Sequence, residues 1–114
     1  MEECLFCRIV DKEIPAEIVF ESDKLLAFKD VDPQAPVHIL IIPKKHIITT
    51  NDLNSKHKEL LCDILLTAKR LASEYDIAED GYRMVFNCNK NGGQAVYHIH
   101  LHLLGGRQMK WPPG

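Results

Sequence analysis

Three of the six histidines in this 114-residue chain stand in strict alternation, His98, His100 and His102 in the run VYHIHLHLLGG (residues 96–106). Alternating positions on an extended strand face the same way, so the run predicts a strand with three imidazoles on one side. Ile99, Leu101 and Leu103 then pack on the core from the other side. At a rise of about 3.3 Å per residue the outer two Cα atoms lie roughly 13 Å apart, whereas zinc–nitrogen bonds of about 2.0 Å need converging ligands. Two neighbours could share an ion, and at least one imidazole is left for another task. An imidazole of pKa about 6.5 is mostly neutral near neutral pH and can act as nucleophile or proton carrier. A cluster of them suits phosphate chemistry: one ring attacks phosphorus while protonated neighbours stabilise the oxyanion or protonate the leaving group. The competing reading is three surface histidines on an edge strand, or a metal-storage patch. The strict alternation, the Gly-Gly turn that follows and the Asn- and Gly-rich loop that precedes favour a site.

A second cluster of chemically capable residues lies at the other end. Cys4 and Cys7 have C-x-x-C spacing, and MEECLFCRIV has no apolar core of signal-peptide length. A reducing compartment is then expected, in which thiols are free or metal-bound rather than bridged. As metal ligands or as ordinary half-buried thiols, the pair reads equally well. Cys62 falls among apolar helix positions and Cys88 follows a strand, so both read as small buried or partly buried residues.

The elements that must position these groups follow from pattern. LFCRIVDKEI makes a turn or two of helix before Pro15. EIVFES and KLLAFKD form a hairpin joined at Ser22 and Asp23, and VHILIIP, β-branched and closed by Pro43, is a buried strand. From Asn54 or Ser55 as cap, SKHKELLCDILLTAKRLASEYD is the one long helix. Leu60, Leu61, Ile64, Leu65, Ala68, Leu71, Ala72 and Tyr75 form its apolar stripe, for core or subunit interface. GYRMVFN and AVYHIHLHLL are two more strands, separated by the loop CNKNGGQ. Strands grouped around one helix predict an α+β fold with an antiparallel sheet, in a single domain over residues 1–114. Fourteen basic and 16 acidic residues leave a formal charge of −2 with no basic face, which argues against a nucleic-acid polymer as partner. Apolar runs fall well short of a membrane span, and a soluble, cytoplasmic protein is expected.

HIHLHLL fits the His-x-His-x-His-x-x pattern of the histidine triad (HIT) superfamily, and the chain resembles its Hint branch. Motif placement, the ending GGRQMKWPPG, and the stretches IPAEIVFESDKLLAFKDVDPQAPVHILIIPKKHI and DGYRMVFN agree with it in order and spacing. The resemblance implies a five-stranded, mostly antiparallel HIT fold with one long helix and a short N-terminal helix. It implies a hydrolase that cleaves the P–N bond of purine nucleoside phosphoramidates, and also aminoacyl-adenylates, with AMP or GMP derivatives as substrate. His100 would be the nucleophile that forms a nucleotidyl-histidine intermediate, His102 would contact phosphate or help with proton transfer, and His38 would support them. Asp30 would bind the ribose hydroxyls, and Leu5, Phe6, Ile9, Phe28 and Val31 would line the base pocket. Asn87 and the amides near Gly93 and Gln94 would hold ligand oxygens, since glycines let backbone approach phosphate. At Ala95 the family pattern often has serine, so turnover and leaving-group preference are the properties this departure touches.

The resemblance also implies a structural zinc held by Cys4, Cys7, His46 and His98, a closed set of two thiolates and two imidazoles. His98 would then serve the metal, His100 phosphorus and His102 the support of both. No organic cofactor is expected. A homodimer is implied, with the KWPPG tail near the partner's active site. Alternatives are a dinucleoside polyphosphate hydrolase, a nucleotide-binding or scaffold protein with little catalysis, and a pure zinc module.

Overall fold

The computed structural model describes residues 4–114. A short helix α1 (Leu5–Val10) leads into strands β1 (Ile18–Glu21), β2 (Leu25–Lys29) and β3 (Val37–Pro43). The long helix α2 (Lys58–Glu74) follows, then β4 (Tyr82–Phe86), a one-turn helix α3 (Asn89–Gly92) and β5 (Leu101–Gly105). The five strands form one sheet in the order β1-β2-β3-β5-β4 with antiparallel neighbours throughout. This is the expected α+β arrangement of a five-stranded sheet, one long helix and a short N-terminal helix.

The sheet is buried on both faces at its centre, which is why β2 and β3 read as nearly continuous apolar runs. Leu25 and Ala27 of β2 and Ile39 and Ile41 of β3 pack on one side with Ile64, Ala68, Leu71 and Ala72 of α2. Leu26, Phe28, Leu40 and Ile42 alternate to the opposite side, where Phe6 and Ile9 of α1 cover them. Burial of each such side chain contributes about 1.5–3 kcal/mol, so α1 is held mainly by its two inward residues. Its N-cap is Cys4, whose sulfur accepts from the Cys7 amide at 3.3 Å. The functional strand positions lie on this α1 side, because His102 is directly opposite Leu40 in the β3–β5 register.

The hairpin closes as expected, with Leu25 N–H donating to Ser22 Oγ at 3.1 Å. Asn54 caps the approach to α2, accepting from the Lys56 amide at 2.9 Å, but the first turn, Ser55–His57, is 3₁₀ and the α-helix begins at Lys58. One expectation for this helix needs correction. Cys62 is exposed rather than buried or partly buried, because the inward arc runs through Ile64, Thr67, Ala68, Leu71 and Ala72, while Leu65, 45% exposed, lies outside that arc as an interface position of the stripe would.

The expected strand AVYHIHLHLL is regular only from Leu101. β3 closes at Pro43, which has no N–H to continue a ladder. Residues 95–100 instead leave the sheet and lie against the segment after β3, with Ile99 N–H donating to Ile47 C=O at 2.8 Å. His98 and His100 therefore sit on irregular backbone and only His102 on a strand. No helix of the described residues is long and apolar enough to cross a membrane.

Candidate active site and metal centre

Backbone carbonyls and amides fix the tautomers of His38, His98 and His100. A carbonyl can only accept, so His100 Nδ1, 2.7 Å from the carbonyl of His98, carries its proton there. In the neutral ring this leaves the lone pair on Nε2, which is the form a nucleophile needs. His100 is buried, and burial lowers its pKa despite the hydrogen bond, so the ring stays neutral at physiological pH. Phe6 packs edge-on against it with ring centroids 5.0 Å apart.

A second relay runs through His38. The amide of Gln34 donates to His38 Nδ1 at 3.0 Å, so the neutral ring carries its hydrogen on Nε2 and donates it to His102 Nδ1, 2.9 Å away. His102 must then carry its own hydrogen on Nε2. That atom is buried and has no partner among the described residues. A buried donor left open costs about 1–3 kcal/mol, and an acceptor brought by a ligand would recover it. Burial, with the neighbouring His100 and His38, pushes the pKa of His102 down to about 4. Asp30 Oδ2 lies 3.5 Å from His38 Nε2, while its Oδ1 accepts from the Asp32 amide at 2.8 Å.

Asp30, His38 and His102 also bring ligand atoms close enough for an ion. The tautomers speak against one: with the Gln34 amide on Nδ1, the His38 Nε2 facing the cluster holds a hydrogen rather than a lone pair. This group is a hydrogen-bond relay.

The other cluster has the opposite chemistry. His98 Nε2 donates to the Pro43 carbonyl at 2.7 Å, which leaves the Nδ1 lone pair facing the cysteines, 3.4 Å from Cys4 Sγ and 3.6 Å from Cys7 Sγ. His46 Nδ1 lies 3.2 Å from Cys7 Sγ, and all four ligand atoms are within 4.8 Å of one another. A tetrahedral zinc with Zn–S bonds of about 2.3 Å and Zn–N bonds of about 2.0 Å sets sulfur and nitrogen ligands roughly 3.5 Å apart. The donor set and the carbonyl behind the ligating ring both fit such an ion. Burial, with Cys4 next to it, pushes the free Cys7 thiol up to about 11.

The remaining sequence-derived positions divide. Phe6, Ile9 and Phe28 are buried in one cluster, with Phe6 edge-on to His98 and His100, whereas Leu5 is 44% exposed and Val31 is 97% exposed. Asn87 is half-buried at the end of β4, and Ala95 is exposed. The amides of Gly93 and Gln94 are already engaged, donating to the carbonyls of Lys90 and Asn89 at 3.0 and 3.1 Å. Sequence reasoning passed over the Gln34 amide and the Pro43 carbonyl, which set two of the tautomers. Backbone groups carry no residue-type signal that could have revealed them.

Comparison with known proteins defines the class. The family model described as HIT domain matches residues 11–109, and the chain belongs to the HIT family. It is 63% identical to a HIT family hydrolase from Legionella pneumophila Philadelphia 1, whose crystal structure superposes with a TM-score of 0.97 over 98% of this chain and 100% of that one. It is 50% identical to the purine nucleoside phosphoramidase of Escherichia coli K12 over 95% of this chain and 91% of that protein. A histidine triad nucleotide-binding protein from Candida albicans is 32% identical, with a TM-score of 0.83, covering 96% of this chain and 83% of that one.

Proposed function

We propose that this protein is a hydrolase of purine nucleoside phosphoramidates, cleaving the P–N bond to give an amine and the nucleoside monophosphate. The observation that carries the reading is the pairing of tautomers: His100 is held with its lone pair on Nε2, beside a buried His102 Nε2–H that has no acceptor among the described residues. A nucleophile next to an unfilled donor suits a phosphoryl group. The relatives named hydrolase and purine nucleoside phosphoramidase support the same chemistry.

In the first step His100 Nε2 attacks the α-phosphorus, forming an N–P bond as the bond to the amine breaks and the departing nitrogen takes up a proton from solvent. His102 donates its Nε2–H to a phosphoryl oxygen as charge builds there, with His38 and Asp30 behind it to hold its orientation. Water then attacks the nucleotidyl-histidine and gives up a proton to solvent, the N–P bond breaks, and His100 is regenerated with the monophosphate released. One hard displacement becomes two easier ones. Asp30 is the group for the ribose hydroxyls, and Phe6, Ile9 and Phe28 supply the apolar floor for the base.

Cys4, Cys7, His46 and His98 would hold zinc, which in this closed set supplies structural cross-linking between α1 and the sheet rather than catalysis. Such thiolate ligands suit a reducing compartment such as the cytoplasm. A homodimer is supported by exposed Leu65 and Leu66 on α2 and exposed Met84 on β4, which hydrogen-bonds a neighbour on one edge only among the described residues. Ala95 favours one second reading, a nucleotide-binding protein with little turnover.

The deciding experiment is AMP release from adenosine 5′-phosphoramidate, beside a His100→Ala variant shown to be folded with equal metal content. Release that disappears in the variant supports the hydrolase. Wild type that binds AMP yet releases none from the substrate overturns it in favour of the binding protein.

A further inference from the structure

The amides near Gly93 and Gln94 were expected to face a ligand; the Gln94 side chain is a separate feature, buried and pointing into the protein. Its Oε1 accepts from the Asn89 amide at 2.8 Å, and its Nε2 donates to the carbonyls of Ile48 at 2.8 Å and Val96 at 3.1 Å. One N–H and two carbonyls fix the orientation of the amide, because the flipped group would face donors to a donor and acceptors to acceptors. Both Nε2 hydrogens are used, so the side chain has no donor left for a substrate.

The three partners belong to three segments that frame the histidines. Ile48 stands two residues beyond His46, Asn89 opens α3 with a positive φ of 62°, and Val96 begins the irregular run to His98 and His100. Among the described residues, one further hydrogen bond ties the same two outer segments, Ile99 N–H to Ile47 C=O at 2.8 Å. The two bonds together pin residues 94–99 to residues 47–48 where no regular strand exists to do it.

We infer that Gln94 is a positioning residue: through its Asn89, Ile48 and Val96 bonds it clamps the loop 89–96 and so sets the placement of His100 against the phosphoryl group. This deepens the phosphoramidase reading and rests on it for its kinetic part. A displacement of about 1 Å at a reacting centre can cost as much as 100-fold in rate, so the clamp acts on the chemical step more than on nucleotide affinity.

The test uses Gln94→Leu, which removes all three bonds, and Gln94→Glu, which keeps the acceptor for Asn89 but turns a carboxylate oxygen toward two carbonyls. Both are assayed with adenosine 5′-phosphoramidate, and amide hydrogen exchange is followed at Asn89 and Ile99. For Gln94→Leu the expected result is kcat lower by about 10- to 100-fold with KM within about threefold, and Asn89 exchanging at least about tenfold faster. Gln94→Glu should lose kcat similarly while Asn89 stays protected, which keeps the question decidable if the leucine variant folds poorly. A rise in KM with kcat unchanged would mean that Gln94 contacts the bound substrate, and the clamp is overturned. Unchanged kcat and unchanged Asn89 exchange in Gln94→Leu overturn it as well. Should wild type release no AMP, the phosphoramidase reading falls, and Asn89 exchange alone decides the clamp.

Discussion

The backbone carbonyl of His98 accepts the Nδ1–H of His100 at 2.7 Å, while the side chain of the same His98 faces Cys4 and Cys7 through Nδ1. One residue thus joins the candidate metal site to the proposed nucleophile, through its ring on one side and its peptide group on the other. His98 was expected to serve the metal and His100 phosphorus from one regular strand face; the two sit instead on irregular backbone before β5 and are linked through the His98 peptide group.

Replacing His100 by Ala should abolish nucleotidyl transfer while leaving nucleotide affinity within a few-fold. The Nε2 lone pair of His100 is free, whereas the lone pair of His98 faces Cys4 and Cys7 and that of His102 accepts from His38. Loss of a nucleophile that works with neighbouring groups costs on the order of 10³-fold or more in turnover. Rapid-quench detection of a labelled covalent protein–nucleotide adduct, present in wild type and missing in the variant, checks it. An adduct of equal yield in the variant would move the nucleophile elsewhere.

Removing metal should loosen α1 before it touches the sheet. Cys4 and Cys7 both lie at the start of α1, and the same helix carries Phe6, which packs on His98, His100 and Phe28. Metal binding to the native form alone at 100 times its Kd adds about 2.7 kcal/mol of stability. Chelation should therefore lower Tm by several degrees, and Cys4→Ala should reproduce the shift without responding to chelator. Calorimetry with metal content measured on the same samples checks this. Equal Tm with and without metal would leave the four residues without a structural ion.

The strands and α2 were legible because their patterns answer to burial alone. VHILIIP is apolar at every position but one and becomes the central strand, and the helical period of Ile64, Ala68, Leu71 and Ala72 places them inward. Leu65 was legible as an apolar position of the stripe, but its residue type does not say whether it faces the core or an interface. The four metal-site residues were legible as residue types, and the structure brings them together from positions as far apart as 4 and 98. What was hidden is everything set by backbone atoms after folding: the irregular path of residues 95–100, the tautomers fixed by Gln34 and Pro43, and the inward turn of Gln94. Those depend on contacts between segments distant in sequence, which leave no local pattern.

Gly105→Ala should destabilise the fold without altering any functional side chain. A Cβ at Gly105 would stand 2.5 Å from Ile77 Cδ1 and 2.9 Å from Ile77 Cβ, and Ile77 is itself buried. Because the crowding reaches Cβ, rotating the Ile77 side chain does not relieve it. Overpacking of this kind costs about 1–3 kcal/mol. Urea unfolding should show the loss, and Ile77→Ala combined with Gly105→Ala should lose less than the sum of the two single variants, as expected for residues in contact. Strict additivity would show that the clash is absorbed elsewhere.

Stability should fall with acid in a window set by His102. In the unfolded chain its pKa is about 6.5, whereas in the fold burial, with the neighbouring His100 and His38, lowers it to about 4. Below pH 6.5 the unfolded state therefore binds more protons than the native state, and the contribution of His102 shrinks as pH falls toward 4 and is constant below it. Full above pH 6.5, that contribution is at most about 3 kcal/mol. His38, also lowered by burial, shares the direction, while Asp30 opposes the shift at both rings. The measurement is urea unfolding of wild type and His102→Gln from pH 7.5 to 4.5, both with excess chelator so that metal release is common to neither. The wild-type advantage should shrink steadily between pH 6.5 and 4.5. A difference that stays flat across that range would mean that His102 titrates alike in the folded and unfolded chains, and that its burial is not what keeps it neutral.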